Sequence, residues 1–536
     1  MIRKAFAICM ILSVMMLFGC KHGIDETVKV EEIDDVTFDK FIDGIFGDGA
    51  SSDEGIIGVL SYVGFSKDDL RERLKKDLIA HSGELKNADG SAMRESDIVN
   101  GLEANKDSIV FRVKSLKLEY PTDSCTGERF RASARMLVGY AEKVFDFWDN
   151  GRKWFISSNQ LLLHNHGTIA KNAQAQTIDK SIISEGGLLY RAAFEGALVV
   201  DPDYEGYGSS SGRVHPYLIQ DICAEQCIDA VEAAIGWKKG SFEGMSLHGL
   251  NENDENFGMY CFGYSQGGTM SLTVHNYIEN KGLAEKLHFK GSLCGDGSYD
   301  LCETYKFFLD EENGGIYYPC SIPIILRSYL HQYGDSYLKG YTISDFLTPK
   351  VCEAIRDNTN NEWEIIDNKL NSTSDIDNKI AKALGIADGW DRIPVSLMFT
   401  EEARDLDSDI SKAMMKAFEE NSYANPNKWK NGKGPEIPVL AIHTKADEIC
   451  PYVNMKNLKK LENVTEYEYN ELDLDVILGQ LGSGLEKMGW DADKISEVKN
   501  MLLGDDVVVR NGAHYSCAIV FYAVNILILQ TYKTGT

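Results

Sequence analysis

Positive charge is scarce in this sequence. Its 536 residues include 55 lysines and arginines against 82 aspartates and glutamates, and the formal net charge is −27 at pH 7. Binding to nucleic acid depends largely on basic side chains that neutralise phosphates. We therefore expect no nucleic-acid partner, and solubility alone explains the excess of negative charge.

Long hydrophobic runs are also rare. Beyond the N-terminus, residues 518–529 have only the length of a buried helix. The N-terminus has a basic start, an apolar run at 5–18 and then Gly19 and Cys20, which is typical of a secretory signal over residues 1–19. The letters LFGC at 17–20 resemble a bacterial lipobox. This implies export and lipid attachment at Cys20, which would anchor the protein at a bacterial membrane, on its periplasmic or cell-surface face, without a spanning helix. Plain cleavage of the signal is the alternative.

Cysteine is present without a recognisable pattern. Of twelve cysteines, Cys9 lies in the signal and Cys20 at the lipid site, and the other ten are too scattered for a disulfide connectivity to be deduced. Cys223 and Cys227 stand one helical turn apart, but no histidine or second cysteine pair is near them. We interpret them as buried thiols rather than a metal site or a local bridge, and we predict neither a metal nor a cofactor.

The most informative stretch is residues 257–277, FGMYCFGYSQGGTMSLTVHNY. An apolar run meets the motif GYSQGG at 263–268, and apolar residues at helical spacing follow. Strand, tight turn and helix form the setting of the G-x-S-x-G nucleophile turn, whose flanking glycines leave room for a strained serine. The pattern predicts that Ser265 is a nucleophile rather than a serine in an ordinary tight connection.

A second G-x-S-x-G match, GSSSG at 208–212, has a different setting. It follows the turn-rich letters DPDY and runs into a His-Pro pair, and no helix opens directly behind it. We interpret Ser210 as a turn residue.

The rest of the chain predicts an α/β protein. Residues 20–106 are acidic and rich in glycine and serine, which favours a tether and a small helical preface, with short helices at 36–46 and 70–79. Residues 109–118 and 130–138 predict an antiparallel strand pair. Continuous apolar strands then alternate with amphipathic helices, which favours a mostly parallel sheet covered on both faces. These strands are predicted at 161–163, 197–200, 257–262, 288–294, 437–443 and 507–510.

Five motifs in combination carry a resemblance. They are HNHGT at 164–168, VVDPDYEGYG at 199–208 with HPY at 215–217, GYSQGG at 263–268, IPVLAIHTKADEICP at 437–451, and a late histidine at 514. Together they resemble the α/β-hydrolase superfamily, and more narrowly the bacterial and fungal secretory lipases and esterases. The resemblance covers about residues 109–531.

The resemblance implies an α/β-hydrolase fold with a mostly parallel eight-stranded sheet and helices on both faces. Residues 107–300 and 436–536 would form the core, and 301–435 a helical cap inserted between strands six and seven. Residues 471–506 form a second insertion for which no function is predicted.

The resemblance also implies a catalytic triad in the chain order serine, acid, histidine. Ser265, Asp447 and His514 follow that order. Asp447 comes four residues after a predicted strand, where an acid would reach the edge of the sheet, and Glu448 beside it is the alternative. His443 lies inside the strand and is predicted to be a core or edge residue.

An ester-cleaving site also needs donors for the oxyanion. The resemblance implies the backbone N–H groups of Gln266 and Thr168, with Gly167 allowing a close approach to substrate. His166 beside them is interpreted as holding the loop rather than as catalytic. The aromatic side chains Tyr204, Tyr217 and Tyr264 are candidates for lining the substrate site, or for core packing.

The resulting hypothesis is a secreted serine hydrolase that cleaves carboxylic esters through an acyl-enzyme, with a small-molecule or glycan-linked ester as substrate. It would meet the membrane only through its lipid anchor. A serine peptidase of the prolyl-oligopeptidase kind is one alternative, but the roughly 85 mature residues before the first strand are too few for the propeller of that class. A non-catalytic binding protein is the other, although all three triad residues are present.

Overall fold

A ten-stranded sheet is the centre of the fold. The computed structural model describes residues 24–45, 65–147, 152–180, 185–237, 257–310, 315–356, 373–387 and 392–469, together with His514, Ala518, Phe521 and Tyr522. Within these residues the strands are β1 (Lys29–Thr37), β2 (Val110–Asp123), β3 (Arg129–Glu142), β4 (Lys153–Phe155), β5 (Gln160–Asn165), β6 (Leu198–Pro202), β7 (Gly258–Tyr264), β8 (Phe289–Gly295), β9 (Val439–Thr444) and β10 (Val464–Tyr469).

Helices connect and cover these strands. In the described part of the chain they are α1 (Phe38–Ile45), α2 (Lys67–Ala80), α3 (Glu95–Asn105), α4 (Glu185–Phe194), α5 (Gln220–Trp237), α6 (Gln266–Asn280), α7 (Ala284–Leu287), α8 (Leu301–Leu309), α9 (Ser321–Tyr333), α10 (Ile343–Phe346), α11 (Pro349–Ile355), α12 (Thr373–Ala383), α13 (Val395–Met398), α14 (Glu401–Arg404), α15 (Asp409–Glu420) and α16 (Val453–Leu458). None of these described helices has the length and apolarity needed to cross a membrane.

The strand order brings together the segments that follow four of the parallel strands. The strands lie in the order β1-β2-β3-β6-β5-β7-β8-β9-β10, and the short β4 pairs with β3. From β6 to β10 all neighbours are parallel, whereas β1 to β4 pair antiparallel and β3 joins β6 antiparallel. Because the carboxyl ends of parallel strands meet at one edge, the residues that follow β5, β7, β8 and β9 come together there.

The α/β class is confirmed, but the prediction of eight mostly parallel strands is wrong: the sheet is mixed and has ten strands in the described residues. Seven predicted strands are present, while β1, β4 and β10 were not predicted. β1 and β10 form the two edges of the sheet, and their sequences, KVEEIDDVT and VTEYEY, are rich in acidic residues. An edge strand pairs along one side only and needs no continuous apolar run. The predicted strand at 507–510 lies outside the described residues.

The predicted tether and helical preface contributes directly to the sheet. β1 pairs with β2 from Lys29 opposite Glu119 to Thr37 opposite Arg112, so this segment is an edge strand and not only a tether. α1 follows at once, and the ring of Phe38 packs 5.5 Å from that of Phe194 in α4. The predicted tether and preface therefore supplies both an edge strand and side chains of the core.

Apolar side chains cover both faces of the sheet. Along β7, Phe262 and Tyr264 join the cluster formed with α4 and the preface, whereas Met259 and Cys261 join the cluster formed with α5 and α6. This alternation is the period of two that a strand imposes on its side chains. It explains why β7 reads as a continuous apolar run.

Along the chain, a group of helices connects β8 to β9, at the position where the sequence predicted a cap. α8 to α15 bury their own apolar cluster, which includes Ile324, Tyr329, Phe346 and Met414. Tyr217, which precedes α5 in the chain, joins the same cluster. This helical insertion, which we call the cap, therefore packs against the edge of the sheet where the parallel strands end.

Candidate active site

Ser265 occupies a strained turn between β7 and α6. Its φ is 59° and its ψ is −120°, a conformation that non-glycine residues rarely adopt. Neighbouring backbone crowds the turn: a Cβ at Gly263 or Gly267 would overlap the carbonyl oxygen of Asn165 in β5, and a Cβ at Gly268 would overlap that of Gly295. The glycines of GYSQGG are therefore required by close packing of the turn against β5 and β8.

Asp447 and His514 form a hydrogen-bonded pair at the same edge of the sheet. The Nδ1 of His514 donates to Asp447 Oδ2 over 2.7 Å, and both side chains are buried. The other oxygen, Oδ1, accepts the backbone N–H groups of Ile449 and Cys450 over 2.8 and 2.6 Å. With Nδ1 held as the donor, Nε2 of His514 is the nitrogen that can accept a proton.

Charge and burial oppose each other in this pair. Burial lowers the pKa of His514, but the charge and hydrogen bond of Asp447, with smaller contributions from Asp296 and Glu448, outweigh it and raise the pKa overall. Burial raises the pKa of Asp447, against the attraction of His514. His514 is thus a stronger base than an ordinary histidine.

Several contacts join Ser265 to the Asp447–His514 pair. The hydroxyl of Tyr264, directly before the serine, lies within hydrogen-bond distance of the backbone carbonyl of His514, and the two rings lie 5.1 Å apart. Burial raises the pKa of the Cys450 thiol well above its usual range, Asp447 adds to this, and hydrogen bonds with Ser298 and Ser265 act in the opposite direction. Cys450 therefore contacts Ser265 through its side chain while its backbone N–H holds Asp447.

A cavity opens beside Ser265. Its empty volume, including the part open to solvent, is about 880 Å³. Ser265 and Gln266 lie on its wall together with Ile449 and Cys450, and the cap supplies most of the remaining lining. The cap side chains are nearly all aliphatic or aromatic, and they include Leu301, Tyr305, Phe308, Tyr318, Ile322, Ile325, Leu326, Phe346, Phe399, Met414 and Phe418.

Two of the three predicted oxyanion residues, Gln266 and Thr168, lie on the wall of this cavity, whereas Gly167 does not line it. Gln266 is the first residue of α6, and Thr168 follows β5 by three residues. The hydroxyl of Thr168 is hydrogen-bonded to that of Tyr217 over 2.7 Å. A Cβ at Gly167 would meet its nearest atom at 3.7 Å, so the protein itself does not require glycine there.

His166 has contacts that hold its own loop. Its Nδ1 is 2.7 Å from the Gly167 carbonyl oxygen, its Nε2 is 3.3 Å from that of Asp203, and its ring stacks on Tyr204 at 4.1 Å. These contacts agree with the structural interpretation of this histidine.

The three candidate lining tyrosines occupy different places. Tyr217 lines the cavity. Tyr204 instead packs on His166, and Tyr264, the residue before Ser265, contacts His514. Of the two candidate acids, Asp447 is the one that accepts the hydrogen bond of His514. Cys20 and residues 471–506 lie outside the described residues.

Sequence reasoning missed Asp296. It is fully buried directly after β8, and its Oδ1 lies 2.8 Å from Nδ1 of His443. The available signal was its position, because Asp296 follows β8 at the same sheet edge at which Asp447 follows β9. Cys223 and Cys227 are free and buried as predicted, and their thiols donate to the Pro216 carbonyl oxygen and to Asn165 Oδ1.

Asp296, His443 and Asp447 each offer one ligand atom within 4.8 Å of the others, a spacing that a metal ion could bridge. The carboxylate oxygens already have protein donors, however. Those of Asp296 accept from His443, Thr444 and Tyr264, and those of Asp447 from His514 and two backbone N–H groups. The donor set fits a hydrogen-bonded ion pair better than a metal centre.

Comparison with known proteins finds similarity at the level of structure only. No protein-family model matches the chain, and no curated protein is similar to it. The rice cell wall degrading esterase LipA from Xanthomonas oryzae is 19% identical, with 74% of this chain and 95% of that chain covered and a TM-score of 0.46. Candida antarctica lipase A is 13% identical, with 70% and 74% covered and a TM-score of 0.44. TM-scores below 0.5 describe a loose superposition.

Proposed function

We propose that this protein is a serine hydrolase of carboxylic esters with an α/β-hydrolase fold. The proposal is supported by the strained Ser265 on the wall of an apolar cavity, and by the buried Asp447–His514 hydrogen bond at the same edge of the sheet. A serine hydroxyl becomes a nucleophile only when a nearby base takes its proton. His514, with its raised pKa and its fixed Nδ1, is suited to be that base.

Acylation follows from this arrangement. Ser265 Oγ bonds to the ester carbonyl carbon while its proton passes to Nε2 of His514, and the carbonyl electrons move to oxygen. The tetrahedral intermediate then collapses, the bond to the alcohol oxygen breaks, and His514 returns the proton to the leaving alcohol. Asp447 stabilises the imidazolium that exists between the two steps.

Deacylation repeats the sequence with water as the nucleophile. His514 takes a proton from water, the hydroxyl adds to the acyl carbon, and Ser265 leaves with the proton that His514 returns. In both halves the backbone N–H groups of Gln266 and Thr168 are proposed to hold the oxyanion, since both residues border the cavity at Ser265.

The apolar lining of the cavity favours one class of ester substrate. Its cap side offers aliphatic and aromatic side chains, whose polar atoms are few, and burial of an apolar group there releases water from both surfaces. A peptide would bring unpaired backbone N–H and C=O groups into the same space, at a cost in free energy. An ester with an apolar acyl or alcohol group is therefore the proposed substrate class, and a peptide is disfavoured.

Export and lipid anchoring at Cys20 are proposed from the sequence pattern of residues 1–20 alone. Metabolic labelling with a palmitate analogue, with Cys20→Ser as the matched variant, tests the anchor. Label that persists in the variant would contradict attachment at this residue.

The nucleophile is tested by labelling the purified mature protein with a fluorophosphonate and mapping the modified residue. We expect an adduct on Ser265, none in Ser265→Ala, and a full adduct in Ser210→Ala, whose serine lies in the other G-x-S-x-G sequence. A series of p-nitrophenyl esters from two to sixteen carbons measures turnover and acyl preference. A folded protein that forms no adduct and turns over no ester would contradict the proposal.

A further inference from the structure

A second buried carboxylate, that of Asp296, lies at the same sheet edge as the proposed triad. Asp296 is fully buried, and its Oδ1 accepts the backbone N–H of Thr444 over 2.9 Å and lies 2.8 Å from Nδ1 of His443. His443 is also fully buried, so the two side chains form an ion pair away from water. An isolated buried carboxylate is unfavourable unless such partners compensate its charge.

Tyr264 connects Asp296 to the proposed base. Its hydroxyl lies 2.6 Å from Oδ2 of Asp296 and is also hydrogen-bonded to the backbone carbonyl of His514. The carbonyl and the carboxylate can only accept, so both compete for the single proton of this hydroxyl. Tyr264, the residue between Gly263 and Ser265, therefore ties the backbone of His514 to Asp296.

We infer that Asp296 is a positioning residue for His514: it orients the histidine through Tyr264 and supplies a second negative charge that favours the imidazolium, while His443 balances part of that charge. This inference rests on the proposed ester hydrolysis, because it assigns Asp296 a part in the proton transfer from Ser265. It gives two residues outside the triad, Asp296 and His443, a defined effect on the reaction.

The charges around the pair support this role. Burial lowers the pKa of His443, but Asp296 and Asp447 raise it to about 9, so the ring is cationic at neutral pH. His514 faces Asp447, Asp296 and Glu448, all of which raise its pKa. Asp447 and Asp296 contribute two negative charges beside His514, and the His443 imidazolium balances one of them. When His514 accepts the proton of Ser265, its own positive charge balances the other.

The other groups around His443 are an aromatic ring and two lysines that lie against that ring. The His443 ring packs edge-on against that of Tyr452 at 5.8 Å, and the ammonium groups of Lys445 and Lys456 lie 5.9 and 5.8 Å from the centre of that tyrosine ring. Nε2 of His443 has no hydrogen-bond partner among the described residues. The ring is held through Nδ1, and its charge is matched mainly by Asp296.

The test measures kcat, KM and the acid limb of the pH–rate profile with a p-nitrophenyl ester in three variants of the full mature chain. Asp296→Asn is expected to lower kcat at least roughly 10-fold and to move the acid limb down by about one pH unit, because a nearby carboxylate shifts a pKa by that order. His443→Gln, which removes the compensating cation, is expected to move the limb up. Tyr264→Phe keeps both charges, so kcat should fall several-fold while the limb stays in place.

Two hydrogen-bonded pairs elsewhere in the fold provide matched controls. Asp77→Asn removes a buried carboxylate that accepts from Trp154 and lies 3.6 Å from His81, and Tyr140→Phe removes a hydroxyl that donates to Asp35. Both are expected to leave kcat and the acid limb unchanged whatever they do to the melting temperature.

The outcomes separate a positioning role from the alternatives. If Asp296→Asn lowers only the melting temperature and Tyr264→Phe keeps wild-type kcat, the inference is overturned. If Asp296→Asn does not fold, wild-type kcat in Tyr264→Phe alone overturns it. Loss of wild-type activity on chelation with recovery on adding zinc would also overturn it, in favour of a metal. Wild-type turnover and a Ser265 adduct, recorded in the same series, test the proposed function separately.

Discussion

At the scale of single residues, the site combines groups that are unfavourable on their own. Ser265 has a backbone conformation at positive φ, and Asp447 is a carboxylate buried to 4% exposure. The surroundings compensate each of them: glycines remove the side chains that would collide with the turn, and three donors satisfy the carboxylate. Substituting the reacting residues should therefore change turnover, and substituting the glycines that make room for them should change stability.

The acid of the triad can be identified by comparing two neighbours. In Asp447→Asn the amide can donate to Nδ1 of His514, which favours the wrong tautomer, and the charge that stabilises the imidazolium is lost. We expect kcat to fall roughly 1,000-fold or more. Glu448→Gln should stay within about 10-fold of the wild type. Equal losses in the two variants, measured by ester turnover, would contradict the assignment of Asp447.

The two G-x-S-x-G sequences provide a matched pair for stability. A Cβ at Gly267 would overlap the carbonyl oxygen of Asn165, whereas a Cβ at Gly212 would have no neighbour within 4 Å. Gly267→Ala is expected to lower the free energy of unfolding by about 2 kcal/mol or more, and Gly212→Ala to change it by less than about 0.5 kcal/mol. Denaturant titration measures both, and an equally mild effect at Gly267 would show that the turn can move away from β5.

At the scale of elements, the cap helices are joined by a buried carboxylate. Asp377 of α12 accepts the backbone N–H of Cys320 over 2.6 Å, directly before α9 begins. Burial raises the pKa of Asp377 to about 7, and the hydrogen bond from Cys320 opposes this only in part. The side chain is therefore protonated in mild acid and charged in mild base.

This raised pKa predicts a pH-dependent stability. Between the ordinary aspartate value of about 4 and about 7, the folded state keeps a proton that the unfolded state releases, so its stability falls as the pH rises through this window. Asp377→Asn removes the buried charge but keeps an acceptor for Cys320. We expect its melting temperature to exceed that of the wild type, and the difference to be larger at pH 8 than at pH 5.

The control for this prediction is Asp407→Asn, because the side chain of Asp407 is 97% exposed. Its melting temperature should differ from that of the wild type by the same small amount at both values of pH. A pH-independent effect of Asp377→Asn would show that the carboxyl of Asp377 titrates in the same range as an exposed one.

At the scale of the whole molecule, the cavity is formed by two parts of the chain. The sheet edge contributes the reacting residues, and the cap contributes the apolar wall. Most of the wall is therefore supplied by a segment other than the one that carries Ser265. Acyl preference is expected to depend on cap side chains, and the rate of the chemical step on sheet-edge residues.

Helix α9 allows this division to be tested. Ile325 lines the cavity, whereas Leu330, on the same helix, packs in the cap without lining it. Ile325→Trp fills part of the cavity, so kcat/KM should fall at least roughly 10-fold for long-chain p-nitrophenyl esters and less than about 3-fold for the acetate. Leu330→Trp should keep the wild-type chain-length profile. The same loss for all chain lengths in Ile325→Trp would contradict an acyl-binding role for this wall.

Local patterns in the sequence determined much of this architecture. The strand, turn and helix around Ser265 follow from adjacent residues, since an apolar run, flanking glycines and helical spacing each act within a few positions. Most strands of the sheet were predicted for the same reason. The position of Asp447 after β9 was also predictable, because a strand of known direction fixes where its end lies.

Only the tertiary structure decided the remaining features. Tyr264, Asp296 and His443 are far apart in the chain and meet because β7, β8 and β9 are neighbours in the sheet. The cavity wall likewise depends on how the cap helices pack on one another. β1 was missed because an acidic edge strand is stabilised by pairing with β2, a partner about 80 residues later. Such contacts depend on packing between distant segments, and no local pattern records them.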